Sequence, residues 1–185
     1  MMRRVLETGS TVRIRAARAE ELPRIAELTK RAYGEYATTM EPSAWRALEA
    51  AMHSALAHDS GVTRLVAELD GDVVGSAALY APDIEAYDGL ASRLPWPEVR
   101  LVAVDPAARG RGIAHLLVME CARRAQETGA SDLGLHTSHS MRTAKQLYER
   151  LGFVRDPERD FHPPGAELVE GYRLSLDDPA PDSEH

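Results

Sequence analysis

An apolar strand that runs into a turn with two glycines, and then directly into a helix, is the feature that most constrains this fold. The apolar run is Leu101–Val104, and the glycines are Gly110 and Gly112. The first N–H groups of a helix lack intrahelical partners, and the helix dipole adds partial positive charge there. Because glycine lets an anion approach the backbone closely, the turn predicts a phosphate cradle. Taken alone, the glycine pair fits an ordinary strand-to-helix turn equally well.

This turn matches neither of two common nucleotide-binding motifs. A P-loop ends in Gly-Lys-Ser/Thr, whereas Gly112 is followed by Ile113 and Ala114. A Rossmann turn needs a third small residue where this chain has His115. Asp132 lies at the distance from the glycine turn that a ribose-binding acid would have. It precedes its strand, however, whereas a ribose-binding acid belongs near a strand's carboxyl end. The sequence therefore disfavours dinucleotide binding.

Hydrophobic patterning along the chain predicts one α/β domain over residues 11–176, with a flexible N-terminus at 1–10 and a disordered acidic tail at 177–185. Asp70-Gly71 lies between two apolar runs, which indicates a two-residue β-hairpin. The predicted order is β, α, α, β, β, β, α, β, α, β, β, a mixed sheet that is largely antiparallel early and contains at least one βαβ unit. The predicted helices span residues 20–36, 42–57, 111–128 and 141–151.

Charge and composition exclude several classes of protein. The 185 residues contain 22 Lys and Arg against 29 Asp and Glu, a net charge of −7, which argues against nucleic acid as a partner. No apolar stretch approaches the roughly 18 residues that span a bilayer, and no signal-peptide pattern opens the chain. The single cysteine forms no intrachain disulfide, and no spacing matches a metal site. We therefore expect a cytoplasmic protein without a metal or a membrane partner.

Two sequence blocks carry a resemblance to a known family. Val104-Asp105-Pro106 followed by Arg109-x-x-Gly112-x-Ala114 resembles motif A of the GNAT superfamily of acetyl-CoA-dependent N-acetyltransferases, whose pattern is Arg/Gln-x-x-Gly-x-Gly/Ala. The segment from Ala144 to Phe153 is similar to that family's A-x-x-L-Y-x-x-L-G-F block. The resemblance covers roughly residues 11–176. It implies a GNAT-like fold whose mixed, mostly antiparallel sheet splays at a cofactor slot and is flanked by helices.

The resemblance also implies where acetyl-CoA binds as co-substrate. Pantetheine would pair with the strand before motif A, and the pyrophosphate would lie on backbone N–H groups of the turn. Many members have Asn where this chain has Met141, so Thr137 or Ser138 is expected to help hold the pantetheine arm. The implied cofactor residues are Val102, Ala103, Val104, Arg109, Gly110, Arg111, Gly112, Ile113, Ala114 and Thr137.

Two residues match catalytic positions of the family. Tyr148 matches the tyrosine that points at the thioester sulfur, and a phenol can protonate a departing thiolate. Burial on an apolar helix face would also explain it, as a core tyrosine. Glu98 resembles the glutamate that some members use to deprotonate the acceptor amine through water, and a solvated strand-end carboxylate is the alternative. His136 and His139, at a strand end, are expected to have ordinary polar roles.

The sequence thus predicts an N-acetyltransferase that moves acetyl from acetyl-CoA to a primary amine of a small molecule or peptide by direct attack in a ternary complex. A non-catalytic acyl-CoA sensor and a nicotinamide-dependent enzyme are the alternatives. A homodimer is possible. Asp83, Glu85 and Asp88 in the long loop at 81–97 could attract a cationic amine, or could equally be a solvated charge run.

Overall fold

The computed structural model describes residues 2–5, 11–84, 89 and 91–177. Eight strands form one sheet in the order β1-β2-β3-β4-β5-β6-β8-β7. The strands are β1 (Met2–Val5), β2 (Thr11–Ala16), β3 (Val62–Leu69), β4 (Asp72–Tyr80), β5 (Glu98–Val104), β6 (Asp132–Ser138), β7 (Val154–Arg155) and β8 (Val169–Ser175). The helices are α1 (Leu22–Tyr33), α2 (Pro42–Ala57), α3 (Ile113–Glu127) and α4 (Arg142–Arg150). No helix in this described part is long and apolar enough to cross a bilayer.

The local turn signals in the sequence explain most of these elements. Asp70 and Gly71 join β3 to β4 with φ values of 52° and 95°, so the predicted two-residue hairpin is confirmed. The helix predicted over 20–36 is divided: α1 begins at Leu22, and 3₁₀ turns flank it at Ala19–Glu21 and Gly34–Thr38. The pairing of β5 with β6 is parallel and the other pairings are antiparallel, which confirms the mixed sheet and its βαβ unit.

The N-terminal segment differs from the sequence-based expectation. Residues 1–10 were predicted to be flexible, but β1 pairs antiparallel with β2, from Met2 opposite Ile14 to Val5 opposite Thr11. A strand of two arginines and two apolar residues carries no clear alternation, so only backbone pairing at the sheet edge defines it. Residues 6–10 lie outside the described residues, and so do residues 178–185, which make up most of the predicted tail.

The sheet splays between β5 and β6. These strands pair only at Glu98 with Gly134 and at Val99 with Leu135. Beyond Val99 the β5 ladder to β4 shifts register, and Leu101 takes a left-handed φ of 52°. A bulge of this kind bends its strand. The strand β6 continues to pair with β8 as far as Ser138, so the bend in β5 opens a slot between β5 and β6, as the family resemblance implied.

Two apolar clusters hold helices against opposite faces of the sheet. α3 buries Leu117, Val118 and Cys121 completely against one face. α1 packs Leu28 on Ala103 on the other face. Consecutive β5 residues thus point alternately to the two layers, which fixes the strand between α1 and α3.

Truncation of the α3 core tests this packing. Because Leu117 is 0% exposed, we expect Leu117→Ala to lower the free energy of unfolding by about 2–5 kcal/mol, from lost burial and a cavity. Urea denaturation measures it. Val154→Ala is the control, since Val154 is 59% exposed and its loss should stay within about 0.5 kcal/mol. Equal losses in the two variants would contradict the burial of α3.

A cluster around Arg15 predicts how stability depends on acid. Arg15 Nη2 lies 2.6 Å from Glu21 Oε1 and 2.8 Å from Glu68 Oε2. The hydrogen bond from Arg15 lowers the pKa of Glu21 to about 2. The folded-state pKa is thus below the unfolded value of about 4.3, so the stabilisation is present above pH ~5 and is lost as pH falls toward 2.

Glu21→Gln should remove this contribution, and we expect a smaller loss of unfolding free energy between pH 6 and pH 3 than in the parent protein. Urea titrations at fixed pH values measure the difference. Glu20→Gln changes the exposed neighbouring carboxylate and should keep the parent's acid dependence. Identical acid profiles for the parent and Glu21→Gln would contradict the ion pair.

Candidate functional site

A cleft of about 1150 Å³ opens where β5 and β6 separate. One wall is β5 from Val99 to Val104, and another is the end of β6 with α4. The turn before α3 closes one end, and α2 lines the other half. The cleft therefore has two parts: the slot between the splayed strands with the turn beside it, and a half covered by α2, which we call the α2 half.

Most of the predicted cofactor residues come together in this cleft. Arg111 is exposed and does not line it. The residues that do are Val102, Ala103, Val104, Arg109, Gly110, Gly112, Ile113, Ala114 and Thr137. Thr137 is 5% exposed, and its hydroxyl lies 3.5 Å from the sulfur of Met141.

The glycine turn has the geometry of an anion cradle. Gly110 and Gly112 have φ values of 76° and 73°, a left-handed conformation that favours glycine. A Cβ added at Gly110 would meet no atom within 4 Å, so the backbone there faces open space in the cleft. α3 begins at Ile113 and runs for 15 residues, which aims its first N–H groups and the positive end of its dipole at this space.

Ion pairs fasten this turn to the opposite helix. Arg109 pairs with Glu35 and donates to the carbonyl oxygen of Ala32 at 3.2 Å. Asp105, at the start of the turn, pairs with Arg31 of α1. These contacts hold the turn across the mouth of the cleft.

A further arginine reaches the turn from β1. The Nη1 atom of Arg4 would lie 3.2 Å from a Cβ at Gly112. Burial lowers the pKa of His115, and the charge of Arg4 lowers it further. Sequence reasoning missed Arg4 because β1 was expected to be flexible.

Tyr148 lies in the cleft as a buried, protonated phenol. It is 8% exposed and stands edge-on to Phe153 at a ring distance of 5.9 Å. Burial raises its pKa above the ordinary value, and nearby Tyr36 adds to this. Among the residues that the structure describes, its hydroxyl has no hydrogen-bond partner. The phenol therefore keeps its proton at neutral pH and has it available for a ligand.

Glu98 is buried rather than solvated, and it does not itself line the cleft. Its carboxylate accepts from Arg100 Nε at 2.7 Å and lies 2.5 Å from His136 Nδ1. Burial opposes the charged form, yet the hydrogen bond of His136 and the charge of Arg100 hold its pKa below the ordinary value. Glu98 is therefore a carboxylate, and the side chains that it binds, Arg100 and His136, are the ones that face the cleft.

The two histidines at the end of β6 have polar partners. His136 contacts Glu98 and the carbonyl oxygen of Arg159, and stands edge-on to Phe161. His139 Nδ1 lies 2.7 Å from Glu170. Within the described ranges no group of three or more His, Cys, Asp or Glu is arranged to hold a metal ion.

Other cleft residues were missed by sequence reasoning. Tyr36 comes from the 3₁₀ turn after α1, and the guanidinium of Arg100 lies 4.4 Å from the centre of the Tyr80 ring. Arg100 interrupts an apolar strand two residues after Glu98, and this alternation could have placed both on one face. Asp83 is exposed and does not line the cleft, and Glu85 and Asp88 lie outside the described residues.

Comparisons with known proteins agree with this architecture. A structure of a GCN5-related N-acetyltransferase from Rhodopseudomonas palustris superposes with a TM-score of 0.67 at 19% identity, covering 95% of this chain and 98% of that one. A GNAT-family acetyltransferase from Brucella melitensis, solved with acetyl-CoA, gives a TM-score of 0.56 at 21% identity, covering 94% and 93%. At these identities the likeness shows the fold.

Curated relatives match over a shorter stretch. Mycothiol acetyltransferase from Gordonia bronchialis is 43% identical over 58 residues, which are 31% of this chain and 19% of that protein. The same enzyme from Mycobacteroides abscessus is 41% identical over 57 residues, again 31% and 19%. The matched stretch thus spans about a fifth of the length of these relatives.

The family model described as Acetyltransferase (GNAT) family matches residues 22–153, which include the splayed strands, the glycine turn and α4. This match covers more than half of the chain, and the eight-stranded sheet has the same fold as the solved GNAT structures. The chain therefore belongs to the GNAT family of acetyltransferases.

Proposed function

We propose that this protein is an N-acetyltransferase that transfers acetyl from acetyl-CoA to a primary amine of a small molecule or peptide, by direct attack in a ternary complex. The observation that carries the proposal is one cleft with an anion cradle at one end, a protonated phenol inside it, and a separate α2 half. That arrangement has room for two substrates at once.

The residues present fit an acetyl-CoA molecule. The cradle at Gly110–Ala114 offers N–H groups to a pyrophosphate. β5 pairs with β6 only at Glu98 and Val99, so the edge of Val102–Val104 that faces the slot can pair with the amides of pantetheine. Thr137 and Ser138 line the opposite side of the slot.

The chemistry that acetyl-CoA supplies is a thioester, whose carbonyl carbon accepts the amine. A backbone N–H near Val104 donates to the carbonyl oxygen as negative charge develops on it. As the carbon–sulfur bond breaks, Tyr148 donates its phenolic proton to the departing thiolate, and the proton that the amine loses passes to water. Burial raises the pKa of Tyr148, so the phenol is still protonated when the thiolate forms beside it.

For Glu98 the contacts favour a positioning role in this proposal. Its carboxylate is held by Arg100 and His136 and is separated from the cleft by them. It orients both side chains toward the acceptor. Removal of the amine proton by Glu98 through a water molecule stays a prediction, as do the cytoplasmic location and the homodimer.

A non-catalytic acyl-CoA sensor is the second candidate. It would need the cradle and the slot but not a proton donor inside the cleft. The protonated phenol of Tyr148 beside a spacious α2 half favours the enzyme.

Removal of the phenolic hydroxyl tests the proposed acid. We expect Tyr148→Phe to lower kcat about 10²-fold or more, the usual size of a general-acid contribution, while the Kd for acetyl-CoA changes little. Thiol release measures kcat, and isothermal calorimetry measures Kd. Tyr172→Phe removes another buried tyrosine hydroxyl, 3.3 Å from Glu170 and outside the cleft lining, as the control. Full activity of Tyr148→Phe at all pH values would contradict the role.

The cradle is tested by a matched pair of glycine substitutions. Gly110 and Gly129 have φ values of 76° and 80°, and a Cβ at either would meet no atom within 4 Å. Alanine at either position should therefore lower the free energy of unfolding by about 1–2 kcal/mol. Only Gly110 lines the cleft, so we expect Gly110→Ala alone to raise the Kd for CoA, by about tenfold, which is about 1.4 kcal/mol. Equal Kd values in the two variants would contradict a phosphate site at this turn.

A further inference from the structure

One side of α2 lines the cleft with apolar residues. They follow one another along the chain at alternating intervals of three and one, which is the spacing of a single helix face. At 1.5 Å per residue the row is about 16 Å long. Ala50 and Ser54 line the cleft at its margin. We call this row the α2 stripe, and its members are Ala44, Ala47, Leu48, Ala51, Met52 and Ala55.

The α2 stripe faces the cleft and not the core of the sheet. An amphipathic helix of a soluble protein normally covers its apolar face with other apolar groups. Within the described chain, neither of the two apolar clusters that hold α1 and α3 on the sheet includes a member of the stripe. Ala47, Leu48, Ala51 and Ala55 remain partly exposed. An apolar group that enters the α2 half would therefore bury apolar surface that the protein itself leaves open.

Aromatic rings extend this apolar wall. Tyr36 lies in the 3₁₀ turn between α1 and α2 and lines the cleft, and its ring stands edge-on to that of Tyr33 at 6.1 Å between centroids. Tyr80 also lines the cleft, and its hydroxyl donates to the carbonyl oxygen of Ala55 at 2.9 Å. This polar group of the wall is therefore satisfied by α2 itself. Aromatic rings supply large apolar contact areas, so these side chains suit the same kind of ligand as the stripe.

The carboxyl end of α2 already holds a cation. This end of a helix carries partial negative charge and attracts positive groups. Arg64 is 8% exposed, and its Nη2 atom donates at 2.8–3.2 Å to the last carbonyl oxygens of the helix, those of Ala55, Leu56 and His58. A second ammonium group on the acceptor, as in a diamine, would therefore find the negative end of α2 occupied by a guanidinium.

We propose that the acceptor is a primary amine on an apolar body, such as an alkylamine, and that this body lies along the α2 stripe. This inference rests on the proposed function and names its substrate class. The stripe belongs to the same cleft as the cradle and Tyr148, so a molecule bound on it is beside the place where the thioester would react. The amine reaches the thioester while the apolar body stays on α2.

The length and polarity of the acceptor test this substrate class in the parent protein. Propylamine, pentylamine and heptylamine form the length series, and 6-aminohexan-1-ol and 1,6-diaminohexane match heptylamine in their number of non-hydrogen atoms. Thiol release with acetyl-CoA gives kcat/KM, expressed per concentration of neutral amine. We expect kcat/KM to rise about fourfold for each CH₂ that is buried, which corresponds to about 0.8 kcal/mol. Heptylamine should exceed both polar amines about tenfold or more, because the apolar wall leaves a terminal hydroxyl or ammonium without a partner.

Substitutions at Ala51 test whether the α2 stripe is the wall that selects the acceptor. Ala51→Gln and Ala51→Leu add side chains of similar size, and only the glutamine is polar. We expect Ala51→Gln to bring the ratio of kcat/KM for heptylamine over 6-aminohexan-1-ol close to 1, whereas Ala51→Leu should keep the parent ratio. A general loss of activity in either variant cancels in this ratio. Ala57→Gln is the matched control, since Ala57 is exposed on the same helix outside the cleft lining, and it should keep the parent ratio.

The outcomes separate this inference from the proposed function. A flat length series, preference for a polar amine, or equal ratios in Ala51→Gln and Ala51→Leu would overturn the apolar acceptor while acetylation stands. If no amine releases thiol, the proposed function fails, and calorimetry of the same amines with CoA-saturated protein decides the inference alone. Affinity that rises with chain length and is weakened by Ala51→Gln supports it, and any other pattern, including no alkylamine binding, overturns it.

Discussion

The separation of β5 from β6 after two paired residues is the constraint on which the rest of this structure depends. A parallel ladder that continued past Val99 would satisfy the slot-facing edge of β5 and leave nothing for a ligand to pair with. The left-handed Leu101 and the register shift beside it turn β5 away from β6. The same turn carries the chain into the glycine turn, so the exposed strand edge and the anion cradle are consequences of one bend.

Charge is distributed around this slot in two separate sets. Arg109, Arg4 and the α3 N-terminus place positive potential at the cradle, where an anionic cofactor would bind. The second set is the buried trio of Glu98, Arg100 and His136, of which Arg100 and His136 line the cleft. The net charge of −7 describes the chain as a whole and does not predict either set, because both depend on which side chains the fold brings to the cleft.

Much of the fold followed from local patterns, and the parts that did not have physical reasons. The Asp70-Gly71 hairpin, α3 and the βαβ unit are specified by turn residues and apolar periodicity close together in the chain. The strand β1 was missed because its pairing is a backbone interaction at an edge. The insertion of β8 between β6 and β7 depends on packing between segments distant in sequence, which no local pattern records.

The same division holds for the candidate site. The sequence by itself determined the family and located the glycine turn and Tyr148, because those residues act through local backbone geometry and a short motif. Only the tertiary structure decided that Glu98 is buried between Arg100 and His136, and that Tyr36, Arg4 and Arg100 come to the cleft. The physical reason is that burial and ion pairing are properties of neighbours in space, and these neighbours come from separate strands and helices.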